Sequence, residues 1–171
     1  MIERTEILAR RVRGLTWLFI AGLVISGATA IPLESELNHL ANWIGPLSNA
    51  DGQPVSALTA WVLKVSEALT HTNAAYPFLA YGTDWLAFGH FVIAVAFLGA
   101  VRDPVRNVWL YQFGMIACAL VIPYALIFGG LRGIPLGWRL IDCSFGIGGF
   151  IPLWCCLRWT LELARSQKTN V

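Results

Sequence analysis

Charge is what this chain has least of. Asp, Glu, Lys and Arg make up 13% of its 171 residues, about half the share usual in soluble domains. The net charge is only +2, so there is no basic surface for a nucleic acid and none is expected as a partner. Cysteine is sparse too. The four thiols include no C-x-x-C pair, which excludes a disulfide framework and disfavours a quinone-linked thiol oxidoreductase. Cys155 and Cys156 read as two buried apolar thiols, with acylation as their other use. Only three histidines are present. A bis-histidine haem needs two facing imidazoles, and only His90 falls within an apolar block, so a single-ligand pigment or haem is the one variant left. Metal-binding, phosphate-loop and nucleophile-elbow signatures are missing; no metal or cofactor is expected. Internal repeats and low-complexity tracts are also lacking.

What fills the chain is apolar sequence, 57% of all residues, gathered in long charge-free blocks. A helix needs roughly 20 apolar residues to cross about 30 Å of hydrocarbon. Four blocks meet that length, at 15–33, 84–101, 107–131 and 138–157. The last is the least clean, because Arg139 and Asp142 lie in its first turns. The first is too long, and lacks the cleavage pattern, for a removed signal peptide, and is read as a retained anchor. The expected fold is an all-α integral membrane protein: one domain, a four-transmembrane-helix bundle.

Orientation follows from the basic residues near the span ends. With the N-terminus inside, Arg4, Arg10, Arg11, Arg13, Arg102, Arg106, Arg158, Arg165 and Lys168 are cytoplasmic, and Lys64, Arg132 and Arg139 are outside. Nine against three places both termini in the cytoplasm, in a plasma (inner) membrane. Trp17, Trp109 and Trp159 then fall at the inner boundary, and Trp85 and Trp138 at the outer one, where indole prefers to sit.

The long outer loop, 34–83, is expected to carry amphipathic helices. Pro32 bends the chain out of the first span. The segment from Leu33 forms one short helix, ended by Gly45-Pro46, and Asp51-Gly52 marks a turn. Val55, Leu58, Val62, Val65 and Leu69 then repeat at helical spacing, as the apolar stripe of a second helix that lies in the interface or over the bundle mouth. Thr83 or Asp84 is expected to cap the second span. The short Arg102–Arg106 connection reads as a charged structural turn. Pro123 and Pro152 are expected to kink the third and fourth spans.

Polar side chains inside spans are costly and mark candidate sites. At 1.5 Å per residue, His90 lies about 9 Å and Asp142 about 6 Å below the outer ends of their spans. Ser26, Thr29 and Tyr124 share that band. The inner half holds Gln112 near its edge and little else. In the fourth span Arg139, Asp142, Gly146 and Gly149 share one face, whose glycines admit a close helix. A contact between His90 and Asp142 would make a proton-handling, catalytic pair, with Thr29, Tyr124, Arg132 and Arg139 as ligand-binding candidates. The simpler reading pairs Asp142 with Arg139 or Arg132 to fix helix ends.

Three functions are compatible with this pattern. The first is a non-catalytic component that binds lipid or partner transmembrane helices, such as an accessory subunit of a membrane complex or a homo-oligomer. The second is an enzyme or pocket for a lipid-like or isoprenoid molecule, using His90 and Asp142. The third is an oligomeric transporter or channel, disfavoured by the lack of a continuous polar path.

Overall fold

The computed structural model describes residues 2–44 and 56–169. The described chain is helical: α1 (Ile2–Ala30), α2 (Leu33–Ile44), α3 (Ala57–Ala75), a 3-10 turn (Pro77–Ala80), α4 (Tyr81–Arg102), α5 (Val108–Leu131) and α6 (Leu136–Thr169). Four of these, α1, α4 with its preceding turn, α5 and α6, are long and apolar enough to cross a membrane. Most of their large apolar side chains point outward: Leu18, Ile25, Val95, Leu120, Ile127, Phe145 and Ile151 are all exposed. In water that surface would be untenable, whereas in a bilayer it is simply the lipid-facing side.

Two helices outrun their apolar blocks. α1 starts at Ile2 and α6 continues to Thr169, because hydropathy marks only the stretch that hydrocarbon can cover. Beyond it, α1 and α6 continue with Leu8, Val12, Thr160 and Leu163 buried, and Arg4 donates to Glu162 at 2.6 Å. Arg11 lies over the Trp159 ring, 5.9 Å from its centroid. The termini therefore sit together at one end of the bundle.

At the other end, the break at Ile31-Pro32 turns the chain into α2, and α3 packs back on it. Leu37, Ile44 and Val62 form a small core with Leu33, Val65, Leu69 and Trp138 at its edge. Ser56 begins α3 by accepting from the Thr59 backbone N–H at 3.1 Å. α3 runs past its apolar stripe to Ala75 because polar contacts take over: Ser66 and Thr70 donate to Asn38, and Asn73 donates to Glu34. Leu58 of that stripe is exposed. Gly45-Pro46, Asp51-Gly52 and Val55 lie outside the described residues.

α4 begins three residues earlier than the apolar block. Neither Thr83 nor Asp84 caps it: Thr83 donates its hydroxyl to the Ala80 carbonyl at 2.6 Å, inside the helix start. Asp84 lies in the first turn, where the helix dipole favours a carboxylate. The 102–106 connection is structural. Asp103 accepts from the Arg106 N–H, and Asn107 donates to the carbonyls of Gly99 and Asp103. α5 and α6 are joined through Gly133, whose φ of 70° suits glycine. Pro123 and Pro152 lie inside continuous helices.

Candidate functional site: a lateral cleft between α4 and α5

The four long helices pack as a chain of neighbours: α5 on α6, α6 on α1, and α1 on α4. Small residues set each contact. A Cβ on Gly146 would sit 2.6 Å from the Cys118 carbonyl oxygen, and one on Gly149 would sit 2.8 Å from the Cys118 sulfur, so α5 and α6 touch backbone to backbone. On the other side Gly27 packs under Ala87, His90 and Phe91. α4 and α5 meet only beside their shared turn, where Phe97 lies over Gly114 and Asn107 reaches Gly99. Farther from the turn the two helices separate.

Beside that gap lies a cleft of about 570 Å³, lined by α1 and α6 as well as by α4 and α5, within the range of small-molecule sites. Its floor is aromatic: the Phe19 and Phe97 ring centroids lie 4.8 Å apart, and Phe97 meets Tyr111 edge-on at 6.3 Å. Leu23, Ile93, Ala117, Val121 and Phe145 line its walls. The polar side chains on it are His90, Ser26 and Ser144, and Cys118 adds a thiol. Among the described residues, no Asp, Glu, Lys or Arg lines it.

The hydrogen bonds of these groups fix what they offer. His90 Nδ1 lies 2.8 Å from the Leu86 carbonyl. A carbonyl only accepts, so the tautomer assigned from this bond carries its proton on Nδ1 and leaves the Nε2 lone pair free. Ser144 donates its hydroxyl to the Ile141 carbonyl at 2.6 Å, which leaves its oxygen as an acceptor. The Ser26 hydroxyl is free to donate or accept.

The structure brings only part of the sequence-derived set together. α4 and α6 stand across the bundle from each other with α1 packed against both, and His90 and Asp142 make no hydrogen bond or ion pair. Asp142 is half-buried, makes no ion pair with Arg139 or Arg132 either, and does not line the cleft. Arg139 is occupied elsewhere. Its stem lies across Gly129, and its Nη1 donates to the Leu126 carbonyl at 3.2 Å, near the negative end of the α5 dipole. Arg132 is exposed at the end of α5. Thr29 donates to the Ser26 carbonyl of its own helix, and Tyr124 packs on Phe128 with centroids 4.5 Å apart. Neither lines the cleft.

The half of the bundle nearer the termini is not featureless, contrary to expectation. Thr16 donates to the Val12 carbonyl at 2.7 Å and shares a 2.8 Å hydrogen bond with the Tyr111 hydroxyl. The Cys156 thiol points at the same Val12 carbonyl. All three side chains are buried. Counting polar residues inward from both span ends, instead of from one, would have found Thr16 and Tyr111. Comparison with protein families, with curated proteins and with solved structures found no match.

Proposed function

We propose that this protein is a non-catalytic membrane component that holds a lipid-like molecule in the α4–α5 cleft. The observation that carries the reading is the cleft itself: apolar walls, an aromatic floor and a few polar atoms near one end. Such a lining suits an apolar chain with a small polar head. The catalytic variant, a His90–Asp142 proton relay, has no contact between the two groups to support it. Both termini are taken as cytoplasmic, in keeping with the basic residues at that end.

Native mass spectrometry of the protein extracted in mild detergent tests this directly. Bound lipid mass is expected, and Ala117→Trp, which fills the cleft, should remove it. Ala119→Trp, on the same helix but outside the cleft lining, should keep it. Equal retention in both variants would reject the cleft as the binding place. Reporter fusions at the two termini should both read cytoplasmic, and one inserted near residue 50 should read external.

A partner transmembrane helix is the second reading, and it makes the protein an accessory subunit. Gly22 and Gly148 line the cleft, a Cβ added at either would meet nothing within 4 Å, and small residues admit another helix. In that case Ala117→Trp would release a protein subunit instead of a lipid.

A further inference from the structure

We infer that the cleft selects a neutral lipid alcohol, a single apolar chain whose hydroxyl donates a hydrogen bond to His90 Nε2. This rests on the lipid reading of the same cleft and adds the chemistry of the head.

Charge is decided first. Among the described residues, no ionisable side chain other than the histidine and the Cys118 thiol lines the cleft. With the imidazole neutral, a phosphate, carboxylate or ammonium head would enter an apolar space without a counter-charge, and burying an unpaired ion costs far more than burying a neutral polar group. The head is therefore neutral.

Hydrogen-bond polarity comes next. The Leu86 carbonyl takes the only proton of the neutral His90 ring, so Nε2 can only accept. The Ser144 proton is taken by the Ile141 carbonyl, so that oxygen also accepts. Ser26 has a donor to spare, and the Cys118 thiol a weaker one. A ketone, quinone or ester head brings acceptors only and would leave Nε2 unanswered. A hydroxyl answers Nε2 and still accepts from Ser26. This matters because the site lies among apolar helices, where an unpaired polar atom is costly.

The tail has a defined course as well. From His90 to Phe97 the cleft follows α4 for seven residues, about 10 Å of helix rise. The head sits at the His90 end, and the chain runs toward the Phe19–Phe97 floor.

The test compares a long straight-chain primary alcohol, its methyl ether and the corresponding methyl ester. Each is added to the detergent-purified protein and its occupancy read by native mass spectrometry. The alcohol should bind about 3- to 10-fold more tightly than the ether, the usual worth of one net hydrogen bond. His90→Leu should lower alcohol binding to the level of the ether. An ether or ester that binds as well as the alcohol overturns the inference while leaving the lipid cleft standing. A preference that survives His90→Leu overturns His90 as the acceptor. If no probe binds, and Ala117→Trp changes nothing, the cleft reading falls with it. The wild-type comparison needs no variant, so a folding defect in His90→Leu leaves the main outcome readable.

Discussion

A single methyl group on Gly146 probes the contact that holds α5 to α6. The added Cβ would lie 2.6 Å from the Cys118 carbonyl oxygen and 3.4 Å from Val121 Cβ. The nearer atom is backbone, so no side chain can rotate away and the helices must move apart. Overpacking of this kind costs about 1–3 kcal/mol. Alanine is also the better helix former by roughly 0.8–1 kcal/mol, which would blur a lone measurement. Gly148 provides the control. It lies two residues away in the same helix, and its Cβ would meet nothing within 4 Å. The propensity gain is common to both sites and cancels in the difference. Gly146→Ala should thus be less stable than Gly148→Ala by about 1–3 kcal/mol, roughly 5- to 150-fold in the unfolding constant. Reversible unfolding in mixed detergent micelles, followed by tryptophan fluorescence, measures it. Equal stability, or a reversed order, would refute the backbone contact between α5 and α6.

The buried hydroxyl network gives an ordering of variants. Thr16→Val leaves the Tyr111 hydroxyl buried and unpaired, whereas after Tyr111→Phe the Thr16 hydroxyl keeps its bond to the Val12 carbonyl. Thr16→Val should be the costlier change, by up to about 1.5 kcal/mol, and the double variant should cost less than the sum of the two; additive losses in the same unfolding assay would show that the bond is not formed. Asn107→Ala removes the side-chain hydrogen bond that ties the turn to the Gly99 carbonyl of α4 and the one to the Asp103 carbonyl within the turn, at about 0.5–1.5 kcal/mol each. Faster proteolysis at that turn than at the α5–α6 turn would confirm its role, and an unchanged pattern would deny it. Glu162→Gln breaks the exposed Arg4 pair and should shift stability by less than about 1 kcal/mol. The shift should shrink further in high salt, as screening dictates.

Much of the architecture was legible because it rests on length and composition. Four long apolar blocks dictate four long helices, Pro32 marks a turn by its own chemistry, and the short charged Arg102–Arg106 segment marks another. Helix ends were less legible. The apolar run says where hydrocarbon ends, not where hydrogen bonding ends, so the Leu8–Val12 and Thr160–Leu163 extensions could not be read from hydropathy. The candidate site was half legible. His90 stood out as a polar group deep in a span, and it does line the cleft. Its pairing with Asp142 required knowing which helices are neighbours, and face counting on one helix cannot supply that. The glycines of the fourth span did signal a close helix, but Gly146 and Gly149 meet α5 and not α4.

Neighbour choice also explains why the cleft exists. Where two helices touch backbone to backbone, a glycine receives the partner: Gly146 and Gly149 for Cys118, and Gly27 for Ala87 and His90. Between α4 and the start of α5 the glycine approaches, Gly99 with the Asn107 side chain and Gly114 with the Phe97 ring, lie beside the turn. Past Phe97, the α4 glycines Gly82 and Gly89 meet nothing within 4 Å, so no contact draws the helices together again. Bulky Ile93 and Val121 face an open space there instead of each other. In a bilayer the side chains around such a space gain their full dispersion attraction only when a chain or a helix fills it. If a lipid alcohol is that filler, as inferred above, its hydroxyl is what answers His90 Nε2 at the edge of that space.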